Sequence, residues 1–109
     1  MALADRKCAA CEGGVKPLSD EESRAMLAET LGWEIVDNQI VRTFKFSNFV
    51  EAMDFANGIT RIAEEENHHP DLHISWGKVK VDLSTHKVGG LTENDFILAA
   101  KINRLAERG

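Results

Sequence analysis

Hydrophobic and polar positions change period several times along the chain. From Asn48, the residues Phe49, Ala52, Met53, Ala56, Ile59, Ile62 and Ala63 recur at spacings of three and four, the signature of a helix with one buried stripe. Pro70 disfavours helical backbone at His69, so this helix, the longest predicted, should end near Asn67 or His68. A period of two follows: Leu72, Ile74 and Trp76 alternate with Asp71, His73 and Ser75, then Val79, Val81 and Leu83 with Lys80, Asp82 and Ser84. That pattern predicts a hairpin turning at Gly77-Lys78, with Trp76 packed against the sheet. Trp33 to Val36 and Ile40 to Phe46 predict an earlier hairpin across Asp37-Asn38, with Trp33 as core or pocket wall. Ser19 and Glu22 stand at capping-box spacing and open a short helix ending near Gly32. Thr92 and Asp95 repeat the spacing and open a last helix carrying Phe96, Ile97, Ile102 and Leu105.

The order α-β-β-α-β-β-α predicts an α+β fold, a single four-stranded antiparallel sheet with helices packed on one face and a more polar opposite face. At 109 residues and 43% hydrophobic composition, one core is expected. Residues 19–109 should form a single domain, and residues 1–18 a polar leader, mobile or locally packed. The leader has no apolar block of signal-peptide length, and no run approaches a membrane span, so a cytoplasmic protein is expected. The net charge of −5 and the scattered basic residues exclude broad affinity for nucleic acid. Cys8 and Cys11 are the two cysteines, and their Cys-x-x-Cys spacing is half a zinc site.

Candidate chemistry collects at one corner, in "EEENHHPDLHISW" from Glu64 to Trp76. His68 and His69 lie at a predicted helix end, and His86 lies in "STHKVGG", where strand gives way to loop. His73 occupies the polar phase of its strand and reads as a solvated face residue. If the loop returns beside the helix end, three imidazoles converge on one cleft, and imidazole titrates nearest neutrality, which suits proton transfer. Metal binding is the competing reading. Adjacent histidines point apart, however, and lack the i,i+4 geometry of a helical zinc motif. No nucleophile elbow or phosphate loop occurs.

Glu64, His68-His69-Pro70, Trp76, His86 and Asp95, at these spacings, resemble the signature of the pterin-4a-carbinolamine dehydratases. The similarity extends through "LGW", "STH" and "GGLTENDF", and the leader "CAACEGG" is similar to that of bacterial members. The resemblance implies dehydration of a 4a-hydroxytetrahydropterin to quinonoid dihydropterin, in recycling of a tetrahydrobiopterin-type cofactor, with neither metal nor organic cofactor. It implies His68, His69 and His86 as catalytic imidazoles. It implies Glu64, Asp95, Asn67, Ser84 and Thr85 as residues that bind or orient substrate, although Asp95 is explained equally by capping and Glu64 by a helix surface. Asn67 and Leu72 depart from the Asp and aromatic residue of some relatives. The expected partners are a pterin substrate and further copies of the chain, in a homodimer or homotetramer. The alternatives are a protein-binding dimerisation role, known of animal members, or action on another pterin.

Overall fold

The computed structural model describes residues 2–9 and 16–108; the pair Cys8-x-x-Cys11 therefore falls partly outside the described residues. Helix α1 spans Asp20–Leu27 and opens on the expected capping box. The Ser19 hydroxyl accepts from the Glu22 N–H at 3.1 Å, and the Glu22 carboxylate accepts from the Ser19 N–H at 2.9 Å. That backbone hydrogen bond holds the Glu22 carboxyl below its ordinary range. The helix stops earlier than its sequence pattern suggests. Thr30 is buried and donates both its backbone N–H and its hydroxyl to the Leu27 carbonyl, at 3.0 and 3.1 Å, closing the chain into a turn.

Strands β1 (Glu34–Val36) and β2 (Gln39–Lys45) form the first hairpin, with Asp37 in the left-handed region at φ 56°. After helix α2 (Phe49–Glu66), strands β3 (Asp71–Ser75) and β4 (Lys78–Leu83) form the second. The sheet is antiparallel throughout, in the order β1-β2-β4-β3. The second turn falls at Trp76-Gly77, with Gly77 at φ 73°, rather than at Gly77-Lys78. Trp76 consequently sits at the hairpin tip, beyond the last paired residues Ser75 and Lys78, and is 71% exposed. The expectation that it packs on the sheet is corrected on this point.

Ile40 lies opposite Leu83, Phe44 opposite Val79 and Leu72 opposite Val81, which puts these side chains on the face covered by helices. Ala52, Phe55 and Ile59 of α2 complete that layer with Phe96, Leu98 and Ile102 of helix α3 (Glu93–Arg108). The other face carries Glu34, Thr43, His73 and Lys80, all exposed. Trp33 belongs to the core, edge-on to Phe44, and its indole N–H donates to Asn103 Oδ1 at 2.7 Å. In the leader, Leu3–Asp5 form a 3-10 turn against α3, with Leu3 buried in the same core.

Two glycines at positive φ separate backbone strain from crowding. Gly89 (φ +70°) faces open space, whereas a Cβ at Gly32 (φ +90°) would come within 2.7 Å of the Arg42 guanidinium. That guanidinium is already bonded to Leu31 O and Asn103 Oδ1 and lies over the Phe44 ring. Gly89→Ala should cost about 1 kcal/mol from backbone strain alone. Gly32→Ala should cost roughly 2 to 3 kcal/mol because Arg42 must also move. Urea unfolding midpoints measure both, and equal losses would show that Arg42 yields without penalty.

Candidate active site

The corner is built by the way α2 ends. Asn67 adopts the left-handed conformation (φ 52°, ψ 41°), and both its N–H and that of His68 reach back to the Ala63 carbonyl. Asparagine tolerates this backbone better than most residues, and the motif satisfies a carbonyl that the helix leaves unpaired. The turn separates the adjacent imidazoles. His68 swings inward to α3, where its Nε2 lies 2.6 Å from Asp95 Oδ1. His69 stays outside and places its Nε2 2.5 Å from Glu64 Oε2. The i,i+4 spacing in the sequence pairs Glu64 with His68, but that geometry needs the helix to continue, and it stops at Glu66.

Asp95 is fully buried. Its Oδ2 accepts from the Thr92 backbone N–H at 3.0 Å and from the Thr85 hydroxyl at 2.9 Å, while Oδ1 accepts from His68. Because the Thr85 proton is committed to the carboxylate, the Thr92 hydroxyl donates to Thr85 Oγ1, 2.9 Å away. One Asp95 oxygen thus caps the start of α3 while the other contacts the His68 ring. Accepting from Nε2 sets the His68 tautomer and leaves Nδ1 as the ring atom able to exchange a proton with a ligand. Glu64 makes the corresponding contact to His69 at the surface, with the two side chains 70% and 54% exposed.

After β4 the chain bends at Thr85, whose N–H donates to the Gly90 carbonyl, and makes a 3-10 turn over His86–Val88. This return brings His86 beside the end of α2. His68, His69 and His86 line one cavity of about 540 Å3 together with Asn67, Ser84 and Thr85, a size in the range of small-molecule sites. Glu64 and Asp95 support it from outside the lining. His73 is not brought in; it stays on the open sheet face, 2.7 Å from Asp82 Oδ2. Leu72 packs against the core and does not line the cavity. Among the described residues, no group of three or more His, Cys, Asp or Glu is arranged to hold a metal ion.

Six lining residues were not among the site residues expected from the sequence: Cys8, Ala9, Glu65, Glu66, Lys87 and Asn94. Glu66, the last residue of α2, is nearly buried; its Oε1 accepts from the Cys8 N–H at 2.8 Å, and its Oε2 lies 3.7 Å from Lys101 Nζ. Asn94 bonds both backbone groups of Ala9. Burial, and secondarily the Glu66 charge, push the Cys8 thiol up to about 12.

Residues 16–105 match the family model described as pterin 4 alpha carbinolamine dehydratase. A protein of Rickettsia canadensis, provisionally named as a pterin-4-alpha-carbinolamine dehydratase, is 54% identical over 92% of this chain and 94% of its own length. A similarly named protein of Rubrobacter xylanophilus is 48% identical over 94% of this chain and 97% of its own. Among solved structures, a transcriptional coactivator/pterin dehydratase from Brucella melitensis superposes with a TM-score of 0.79 at 35% identity, covering 84% of this chain and 99% of that one. A pterin dehydratase-like protein described as a RuBisCO assembly factor in the alpha-carboxysome shares the fold at 20% identity, with a TM-score of 0.56. In the described residues no helix is long and apolar enough to cross a membrane.

Asp95→Asn should destabilise the protein by roughly 2 to 4 kcal/mol, because an amide cannot accept all three donors. Glu64→Gln, at an exposed pair, should cost under about 0.5 kcal/mol. Denaturant unfolding of both variants checks the contrast. The Cys8 thiol should remain protonated at neutral pH, so in a Cys11→Ser background its alkylation rate should climb about tenfold per pH unit through pH 10 without a plateau. A plateau near pH 9 would contradict the burial seen here.

Proposed function

The chain belongs to the pterin-4a-carbinolamine dehydratase family, a family of hydro-lyases, and on that premise we propose that it dehydrates a 4a-hydroxytetrahydropterin by histidine acid/base catalysis. The observation carrying the proposal is the convergence of three imidazoles on one cavity, one of them set by a buried carboxylate. In this reading, cationic His68 donates the Nδ1 proton to the 4a-hydroxyl. The C4a–O bond breaks and water departs. His69, neutral and with Nε2 turned to Glu64, accepts the N5 proton on Nδ1 as the C4a–N5 double bond forms. One proton leaves His68 and one arrives at His69, so the pair is restored by exchange with solvent. Asp95 offsets the positive charge on His68 within a dry environment, as an acid behind an imidazole does in hydrolytic triads. His86 assists either transfer. Ser84, Thr85 and Asn67 bind or orient the pterin. The product, reduced again elsewhere, would serve a pterin-dependent hydroxylase, which places the reaction in cofactor recycling.

The chain also assembles, in this proposal, as a homodimer or homotetramer. Phe49 and Val50 at the start of α2 are exposed, and β1 and β3 leave sheet edges open in the single chain. Light scattering should return a mass of two or four 12.1-kDa chains; a monomer at micromolar concentration would remove this part.

Stopped-flow dehydration tests the chemistry. His69→Ala and His86→Ala should each lower the rate by roughly 10² to 10⁴, while His73→Ala should change it little. His68→Gln should flatten the alkaline limb of the pH–rate profile, since loss of an acid removes the fall at high pH. His69→Gln should flatten the acid limb, since loss of a base removes the fall at low pH. Unchanged rates in His69→Ala and His86→Ala would sink the proposal; exchanged limbs would reverse the two roles.

A further inference from the structure

The cavity has a second side that the catalytic reading does not use. Its wall there is the leader, whose Cys8 and Ala9 line the same space as His68, His69 and His86. We propose that the Cys8–Ala9 segment is a substrate-binding wall of this cavity, and that Glu66 and Asn94 are positioning residues that hold it in place and thereby set affinity for the pterin. The inference rests on the dehydratase reading above.

The segment is held by its backbone. Glu66 Oε1 accepts from the Cys8 N–H at 2.8 Å. The Asn94 amide takes both polar groups of Ala9, its Oδ1 accepting from the N–H at 2.9 Å and its Nδ2 donating to the carbonyl at 2.6 Å. The Cys8 thiol lies 3.6 Å from the Asn94 carbonyl oxygen. An asparagine that satisfies both groups of one residue acts as a strand edge would, fixing position and orientation together. Lys101 ties the clasp to the stretch before it, donating to Ala4 O at 2.9 Å and standing 3.7 Å from Glu66 Oε2.

Anchoring a tail does not require this arrangement. Leu3 is already buried in the core, and Arg6 and Arg104 pair at the surface with Glu93 and Asp5. The nearly buried Glu66 carboxylate and the buried Asn94 carry a desolvation cost, and they are placed where the chain meets the cavity. The wall they present is a thiol and a methyl group. Burial keeps that thiol protonated, so Cys8 and Ala9 contribute an uncharged, polarizable patch beside the charged Glu66, suited to the flat face of a heterocycle. The imidazoles that line the same cavity handle its ionisable edge.

Two full-length variants test the proposal against carbinolamine dehydration. Asn94→Asp is isosteric but sets a carboxylate against the Ala9 carbonyl. Ala9→Leu enlarges an exposed side chain and leaves the backbone clasp intact. Each should raise KM about tenfold, lower kcat less than threefold and leave both limbs of the pH profile in place, because the histidines are untouched. Unchanged KM in Ala9→Leu, or in both, overturns the inference while the dehydratase reading stands. A fall in kcat that exceeds the rise in KM also overturns it, since the segment would then act on the chemical step. Should Asn94→Asp fail to fold, Ala9→Leu decides. A wild-type protein without dehydratase activity overturns the functional reading and this inference with it.

Discussion

The buried carboxylate of Asp95 is the constraint on which the site depends. A charge removed from water is tolerable only when its oxygens are nearly saturated with donors. Here the donors come from three parts of the chain: the Thr92 backbone, the Thr85 hydroxyl and the His68 ring. The start of α3, the bend after β4 and the end of α2 are therefore located relative to one another by a single group. An amide would leave a donor facing donors. The same atom set that begins a helix also orients an imidazole, so stability and chemistry cannot be varied separately at this position.

A second constraint acts one turn away. The left-handed conformation of Asn67 ends α2 immediately before the two adjacent histidines and turns them into different surroundings. Their environments diverge as a result: His68 is largely buried and backed by a buried acid, whereas His69 is half exposed and backed by an exposed one. In the proposed mechanism the two side chains play opposite parts in proton transfer, which such a difference favours. Pro70 maintains it by keeping His69 out of the helix.

Periodicity made most of the fold legible, because each stripe of apolar residues has one geometry that buries it. The end of α1 was less legible, since a hydroxyl bonding back to a helix carbonyl leaves no periodic trace. Trp76 misled for a related reason: it falls in phase with Leu72 and Ile74, yet the turn begins at that residue. At the site, the histidines could be recognised by their spacing, and Asp95 by its distance from Thr92. The partner of Glu64 could not be, because it depends on where the helix stops. Ala9, Glu66 and Asn94 left no local signal at all, and Cys8 stood out only through its spacing to Cys11. Their bonds join residues 58 and 85 positions apart, and each one looks like an ordinary surface residue until the chain has closed.

That long reach bears on how the cavity comes into being. The second hairpin and α2 are local structures that can form early, whereas the His68–Asp95 contact and the Glu66 and Asn94 clasps join distant parts of the chain and carry a loop-closure cost before they return any stability. Each also buries a polar group that only the complete arrangement satisfies. A partly folded chain would expose these groups to water and hold neither side of the cavity. The histidine cluster and the leader segment should accordingly settle with the final packing of α3, since α3 supplies both Asp95 to His68 and Asn94 to Ala9.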